Sequence, residues 1–350
     1  MINLRSVDEV LENTRVVMRM DLDMPKDGDV ITDWSRVEKS LPTIRTLLSK
    51  NCHILIVGTW GRPGGKEVPE LSLREVYLEL VSMLNTTEVE TKSVFVADVF
   101  DTQLIDTSLA DNQIVFMENL GFWPGEDAND PLFLENIAEI CQFFVNDSFA
   151  KAHRKSASVM LREKLPVFYG YSFIEEARAL EALVENTQRP LTVVLGGAKK
   201  DKLDYLPNLL EMADNVLVGG ALPKVISMEG LEPLVGTKLI VAKLRDDGLD
   251  LDDDTIEKFS QIIGQSKTVV WAGSMGFYEN PEARAGTEAI ARAVSEVEGY
   301  TVVAGGDTGA SLIDLGVEGK IDFFCSGGGV MLEYLTNRTL PAWEEVLTKV

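Results

Sequence analysis

The chain has 350 residues, 45% of them hydrophobic and 25% charged, a globular profile with length enough for two ordinary domains. Its formal charge of -23 argues against nucleic acid or an anionic membrane as partner, and no apolar run approaches the ~20 residues of a membrane helix. The three separated cysteines, Cys52, Cys141 and Cys325, read as buried thiols, while only two histidines, His53 and His153, exclude His-rich metal sites and weaken any Ser-His hydrolase. The opening MINLRSVDEV lacks the basic-then-apolar pattern of a secretory signal, so a cytoplasmic protein is expected.

In chain order, RVVMRMDLD reads as a strand with Arg19, Asp21 and Asp23 at its end. DWSRVEKSLPTI then opens a helix with Arg36 in its first turn, capped by Asp33 or Ser35. HILIVGTWG, SVFVAD, IVFMEN and FFVNDS are further strands, the first leading to Arg62 and the last to His153 and Arg154. SFIEEARALEALVEN, residues 172 to 186, reads as a helix with Ser172 as cap and Glu175 completing a capping box, and TQRP ends it. LTVVLGGA, NVLVGGA, TVVWAGSMG, TVVAGGDT and DFFCSGGG follow as strands ending in glycine. The acidic run at 246 to 259 reads as a solvated turn entering a helix. Continuous apolar strands alternating with helices indicate α/β architecture with parallel sheets covered on both faces. In such sheets the functional loops lie at the carboxyl ends of the strands. The change from arginines and acids to glycines and lysines at those ends marks two α/β domains joined by the 172–186 helix.

Some signatures can be set aside. There is no GxxxxGK[ST], HExxH or CxxC. AGSMG resembles a nucleophile elbow, but a hydrolase using Ser274 normally needs a later histidine, and none follows His153. LGGAKKDKL is either an exposed lysine-bearing turn or an anion site, with glycine amides and a helix start holding a phosphate that Lys199 and Lys202 neutralise. Repetition of this design at VGGAL, AGGDTGAS and CSGGGVMLE favours a polyphosphate platform. Asp307 is the one acid immediately inside a glycine loop, which makes it the natural Mg²⁺ ligand. Arg36, Arg62 and Arg154 at earlier strand ends suit carboxylates and phosphates through their planar forks.

RVVMRMDLDMP, TDWSRVEKSLPTI, GRPGG, VNDSFAKAHR, LGGAKKDK, TVVWAGSMG, AGGDT and SGGG, in this order and over essentially the whole chain, resemble phosphoglycerate kinase. The resemblance implies two Rossmann-like domains, a hinge, and a monomer. Residues 1–171 would bind 3-phosphoglycerate or 1,3-bisphosphoglycerate, 172–186 would be the interdomain helix, 187–340 the MgADP or MgATP domain, and 341–350 a tail returning to the first domain. It further implies that Arg36 meets the carboxylate and the transferring phosphoryl group, Arg62 and Arg154 the 3-phosphate, and Asp21 the substrate hydroxyl. Gly197, Lys199, Lys202, Gly220, Gly305, Gly306 and Thr308 would face the nucleotide phosphates and Glu279 the ribose. Asp307 would bind Mg²⁺, and Lys202 and the Gly328 amide would act on the phosphoryl group in flight. The reaction implied is direct in-line transfer after domain closure, which depends on positioning and charge neutralisation rather than a covalent nucleophile.

The sequence also departs from that pattern. Gly121 stands where the family has an arginine for the 3-phosphate, Thr59 where it has a histidine near the carboxylate, and Asp23 for an asparagine that touches substrate. Trp60 replaces a leucine, Ser156 a histidine, and Ala272 and Ser274 the Asn and Pro of WNGP. The 221–250 stretch is abbreviated. Arg15, Arg19 and Lys155 are the candidates to compensate in the basic patch. Two alternatives follow: a paralogue phosphorylating another small carboxylate, or a non-catalytic nucleotide-binding protein.

Overall fold

The computed structural model describes residues 3–85, 90–228, 230 and 236–343; the side chain of Asp307 lies outside the described part. Its strands are β1 (Arg15–Arg19), β2 (Lys26–Asp27), β3 (Val30–Ile31), β4 (His53–Val57), β5 (Ser93–Val96), β6 (Ile114–Met117), β7 (Phe143–Asn146) and β8 (Val167–Tyr169). They continue with β9 (Leu191–Leu195), β10 (Asn215–Val218), β11 (Leu239–Val241), β12 (Thr268–Ala272), β13 (Tyr300–Ala304) and β14 (Phe323–Cys325). All ten expected strands form. Two further sheet strands, β8 and β11, are three residues each, too short to show a pattern. β2 and β3 add a small antiparallel hairpin.

The chain divides into two compact units, one of residues 1–177 and 339–350, the other of 178–338. The division falls inside the Tyr171–Glu185 helix. The first unit holds a six-stranded parallel sheet in the order β5-β6-β4-β1-β7-β8. Alternate residues of its strands feed two separate cores. Val16, Met18, Ile54, Ile56, Phe116 and Val145 belong to one face, and Val17, Leu55, Val57, Val115, Met117 and Phe144 to the other. Each such side chain contributes roughly 1.5–3 kcal/mol of burial, which is why these strands are apolar throughout rather than alternating. The second unit holds a parallel sheet in the order β11-β10-β9-β12-β13-β14, with Val194, Leu217, Val269, Trp271 and Val303 in one core. In both units the order reverses beside the first strand, leaving a crevice at the carboxyl ends.

Several local expectations are corrected. Ser172 does not cap its helix; it lies in the first turn, and its hydroxyl donates to the Asp147 carboxylate at 3.1 Å. Asp147 also accepts from the Phe173 amide at 3.4 Å, so a residue just past β7 satisfies the helix start. Of the acidic run, Asp252 caps the Asp253–Gly264 helix through the Thr255 amide at 2.9 Å. Asp250, however, is fully buried, because the amides of Leu251 (2.9 Å) and Gly286 (3.0 Å) bind its carboxylate. Burial raises its pKa, and those two amides oppose the rise. AGSMG is not an elbow: Ser274 is buried, and the next α-helix starts only at Ala285. All three cysteines are buried and free, and burial pushes the Cys141 thiol up to about 12.

Residues 339–343 pack within the first unit. Tyr169 donates to the Ala342 carbonyl at 2.9 Å, and the Trp343 ring stands 5.8 Å from those of Phe149 and Phe173. The rest of the tail, 344–350, lies outside the described residues. Among the described residues no helix is long and apolar enough to cross a membrane.

Candidate active site

Each unit carries a polar cluster at the carboxyl edge of its own sheet. In the first unit, Arg36 opens the Ser35–Ser49 helix; Asp33 binds the Ser35 amide at 2.8 Å, and Ser35 itself lies inside the helix. Arg36 forms an ion pair with Asp21, just beyond β1, with both side chains largely withdrawn from solvent. Asp23 accepts from the Gly61 amide at 2.8 Å, which ties the β1 end to the GTWGRP loop. Asp21 and Asp23 are thus engaged with protein groups, and Arg36 is pre-positioned by Asp21.

Trp60 is a core residue. Its indole donates to the Met24 carbonyl at 2.8 Å, and Asn119 binds its backbone on both sides, at 3.0 Å and 2.9 Å. Asn119 Oδ1 also accepts from the Gly121 amide at 3.0 Å. A pocket beside this loop is lined by Arg62 and Arg154, and also by Thr59, Gly121, Ser156 and Lys151. The structure therefore brings Thr59, Arg62 and Arg154 together. Lys151 carries no signal in the sequence beyond standing three residues before Arg154, and pattern reading passes over it.

The three compensating cations fare badly. Arg15 pairs with Asp106 at 2.5 Å, away from that pocket. Arg19 is fully buried, donating to Ser158 Oγ at 2.9 Å; burial lowers its pKa, with Glu126 and Asp21 opposing. Lys155 is exposed and does not line the pocket.

In the second unit, the crevice of the sheet lies between β9 and β12. Lys202 sits there, donating to the Gly196 carbonyl at 2.7 Å and the Ala272 carbonyl at 2.9 Å. The loops are locked together backbone to backbone: Gly197 N donates to Ser274 O at 2.7 Å, and Gly220 N to Met275 O at 2.9 Å. A methyl group at Gly220 would stand 2.5 Å from the Gly197 amide, so close approach and a φ of +61° both require glycine there. Gly305, at φ +110°, turns β13 into the Gly306–Asp314 helix, while a Cβ at Gly306 would meet nothing within 4 Å. Gly328 begins the Gly328–Asn337 helix after β14. Helix starts at 306 and 328 leave amides unpaired within their own helices, suited to anions.

Lys199 and Glu279 are exposed near these loops. Thr308 is fully buried, and its Oγ1 accepts from the Gly273 amide at 3.1 Å. That bond fastens the β13 loop to the β12 loop. Asp307 is the second residue of its helix, and its side chain is outside the described part.

Strand ends built of glycine, a lysine in the crevice and two helix starts define a Rossmann-type phosphate-binding α/β protein. The phosphoglycerate kinase family model matches residues 6–244 and 234–338. The chain is 31% identical to the phosphoglycerate kinase of Moorella thermoacetica, over 97% of this chain and 98% of that one. Identity to the Thermomicrobium roseum phosphoglycerate kinase is also 31%, with the same coverage. Among solved structures, phosphoglycerate kinase from Coxiella burnetii superposes with a TM-score of 0.73 at 27% identity, covering 97% and 98% of the two chains. That from Pyrococcus horikoshii gives 0.80 at 23% identity, covering 97% of each, a likeness of fold. The chain belongs to the phosphoglycerate kinase family.

Proposed function

We propose that the chain is an active phosphoglycerate kinase, transferring a phosphoryl group reversibly between 1,3-bisphosphoglycerate and MgADP to give 3-phosphoglycerate and MgATP. The observation that carries this is Lys202, fixed by two strand-end carbonyls in the β9/β12 crevice among glycine loops, within a chain matched to the family almost end to end. In the ATP-forming direction a β-phosphate oxygen of ADP attacks the acyl phosphorus, the bond to the carboxyl oxygen breaks, and the carboxylate leaves. Lys202 and the Gly328 amide would neutralise the phosphoryl oxygens in flight, and Arg36, oriented by Asp21, would meet the same group and the carboxylate. Transfer then requires that the cation of one unit and that of the other serve one phosphoryl group shielded from water.

The first unit, with Arg62 and Arg154, would hold 3-phosphoglycerate, and the second the nucleotide. Gly197, Gly220, Gly305 and Gly306 would let backbone approach the phosphates, with Lys199 and Glu279 at their margin. Mg²⁺ would be held by Asp307, whose carboxylate is a hard oxygen donor and which follows Gly306, where an added Cβ would meet nothing within 4 Å. When bound, the ion would offset phosphate charge. Asp307→Asn is expected to raise the Mg²⁺ concentration for half-maximal rate on the order of tenfold; an unchanged Mg²⁺ dependence would remove Asp307 from this role. We further propose a cytoplasmic monomer.

The test is a coupled ATPase assay against a panel of small carboxylates. Saturable ADP formation with 3-phosphoglycerate, above that with the other acids, is expected; preference for another acid would favour the paralogue reading. Gly121→Arg should lower KM for 3-phosphoglycerate by adding a cation to the Arg62–Arg154 pocket. It should also lower Tm, because a Cβ there stands 3.0 Å from Pro63 Cγ and 3.1 Å from Asn119 Oδ1. A raised KM would mean the pocket has no room for the added side chain.

A further inference from the structure

We infer that Lys151 is a substrate-binding residue, its ammonium taking the phosphate of the phosphoglycerate alongside Arg62 and Arg154. This rests on the proposed function and names a cation that the reading of the sequence did not supply.

The pocket at this edge of the first unit lacks a charged side chain at three lining positions: Gly121 has none, Thr59 is neutral, and Ser156 is neutral and buried. Lys151 lines the same pocket and donates to Thr59 Oγ1 at 2.6 Å. An ammonium has three donors, and Thr59 takes one. Neither of the others is used in a hydrogen bond, and no ion pair reaches Lys151, among the described residues.

The neighbouring carboxylates are engaged elsewhere or lie at the rim. Glu126 also lines the pocket but is buried and held by the Ser158 amide at 2.9 Å and hydroxyl at 2.5 Å, Asp21 pairs with Arg36, and Asp23 takes the Gly61 amide. Asp127 lines the pocket from an exposed position. Burial lowers the Lys151 pKa, with Asp23 opposing and Arg19 adding to the fall, so this cation is withdrawn from water without a carboxylate bound to it. Such an arrangement is costly by itself and is offset when an anion enters. The clustering of Lys151 with two arginines selects a phosphate, the ligand with enough oxygens to serve three cations.

The experiment compares the unaltered chain with Lys151→Gln and Lys151→Arg by steady-state kinetics and by calorimetric binding of 3-phosphoglycerate. D-glycerate, which keeps the carboxylate but lacks the phosphate, serves as a competitive inhibitor. Losing one charged hydrogen bond is expected to raise KM for 3-phosphoglycerate about 10- to 100-fold in Lys151→Gln. Its kcat and KM for MgATP should stay within about threefold and its inhibition by D-glycerate unchanged, with Lys151→Arg recovering most of the affinity.

A KM within twofold of the unaltered chain overturns the assignment, as does an equal loss toward D-glycerate. Thr59→Val is a second variant, should Lys151→Gln fail to fold. It frees the ammonium from its anchor and should raise the same KM severalfold; no change would overturn the assignment. An unaltered chain that neither turns over nor binds 3-phosphoglycerate overturns both this inference and the proposed function. Normal turnover with an indifferent Lys151→Gln overturns this inference alone.

Discussion

Lys202→Ala is expected to lower kcat by about 10²–10³, the loss typical when one preorganised donor to transition-state charge is removed. The ammonium is held by the carbonyls of Gly196 and Ala272 at the β9/β12 crevice, so its position does not depend on a ligand being present. KM for MgATP should change much less, because the glycine loops keep their own backbone bonds from Gly197 to Ser274 and from Gly220 to Met275. A modest fall in Tm should accompany the kinetic loss, since two carbonyls lose a donor worth roughly 1 kcal/mol each. Arg36→Ala should give a comparable fall in kcat, with an added stability cost from leaving the largely buried Asp21 without its cation. A fall in kcat of less than tenfold for both variants would contradict the roles proposed for these residues.

The largest expected effect on stability belongs to Asp147. Its carboxylate is buried at the end of β7, where it receives the Ser172 hydroxyl and the Phe173 amide. Burial raises its pKa to about 6, against the opposing hydrogen bonds of Ser40, Ser172, Phe173 and Thr43. A group whose folded pKa lies above its unfolded value of about 3.9 stabilises the fold fully below that unfolded value. The contribution is lost as pH rises through about 6. At 1.36 kcal/mol per pKa unit, the shift is worth roughly 3 kcal/mol across that window.

Asp147→Asn keeps an acceptor for the Phe173 amide and has no charge to bury. Its stability relative to the unaltered chain should therefore rise between pH 4 and pH 7, measured by urea midpoints. A difference independent of pH would contradict a buried, titrating Asp147. Gly170 belongs to the same arrangement: a Cβ there would overlap the Asp147 carboxyl, so Gly170→Ala should destabilise at any pH.

Much of this architecture is legible in the chain because its strands are buried on both faces. Runs such as RVVMR and TVVWA can hardly be anything else, and their glycine, arginine or aspartate ends announce the functional edge. What pattern reading misses has tertiary causes. Ser172 looks like a cap by its local spacing, yet Asp147, distant in sequence, occupies that role. Asp250 looks solvated within an acidic run, until the Gly286 amide arrives from a later helix. The bond from the Gly273 amide to Thr308 Oγ1, which joins two neighbouring strand ends, likewise has no local signal in the sequence. Lys151 has no pattern to mark it, and only the folding of β4 and β7 onto either side of β1 brings it to Thr59.

Steady-state kinetics with 3-phosphoglycerate and MgATP test the central claim most directly. Saturation in both substrates, formation of ADP strictly dependent on 3-phosphoglycerate, and loss of that activity in Lys202→Ala are expected. Contradiction would be an unaltered, folded chain that forms no ADP with 3-phosphoglycerate at any concentration, or one whose activity survives both Lys202→Ala and Arg36→Ala.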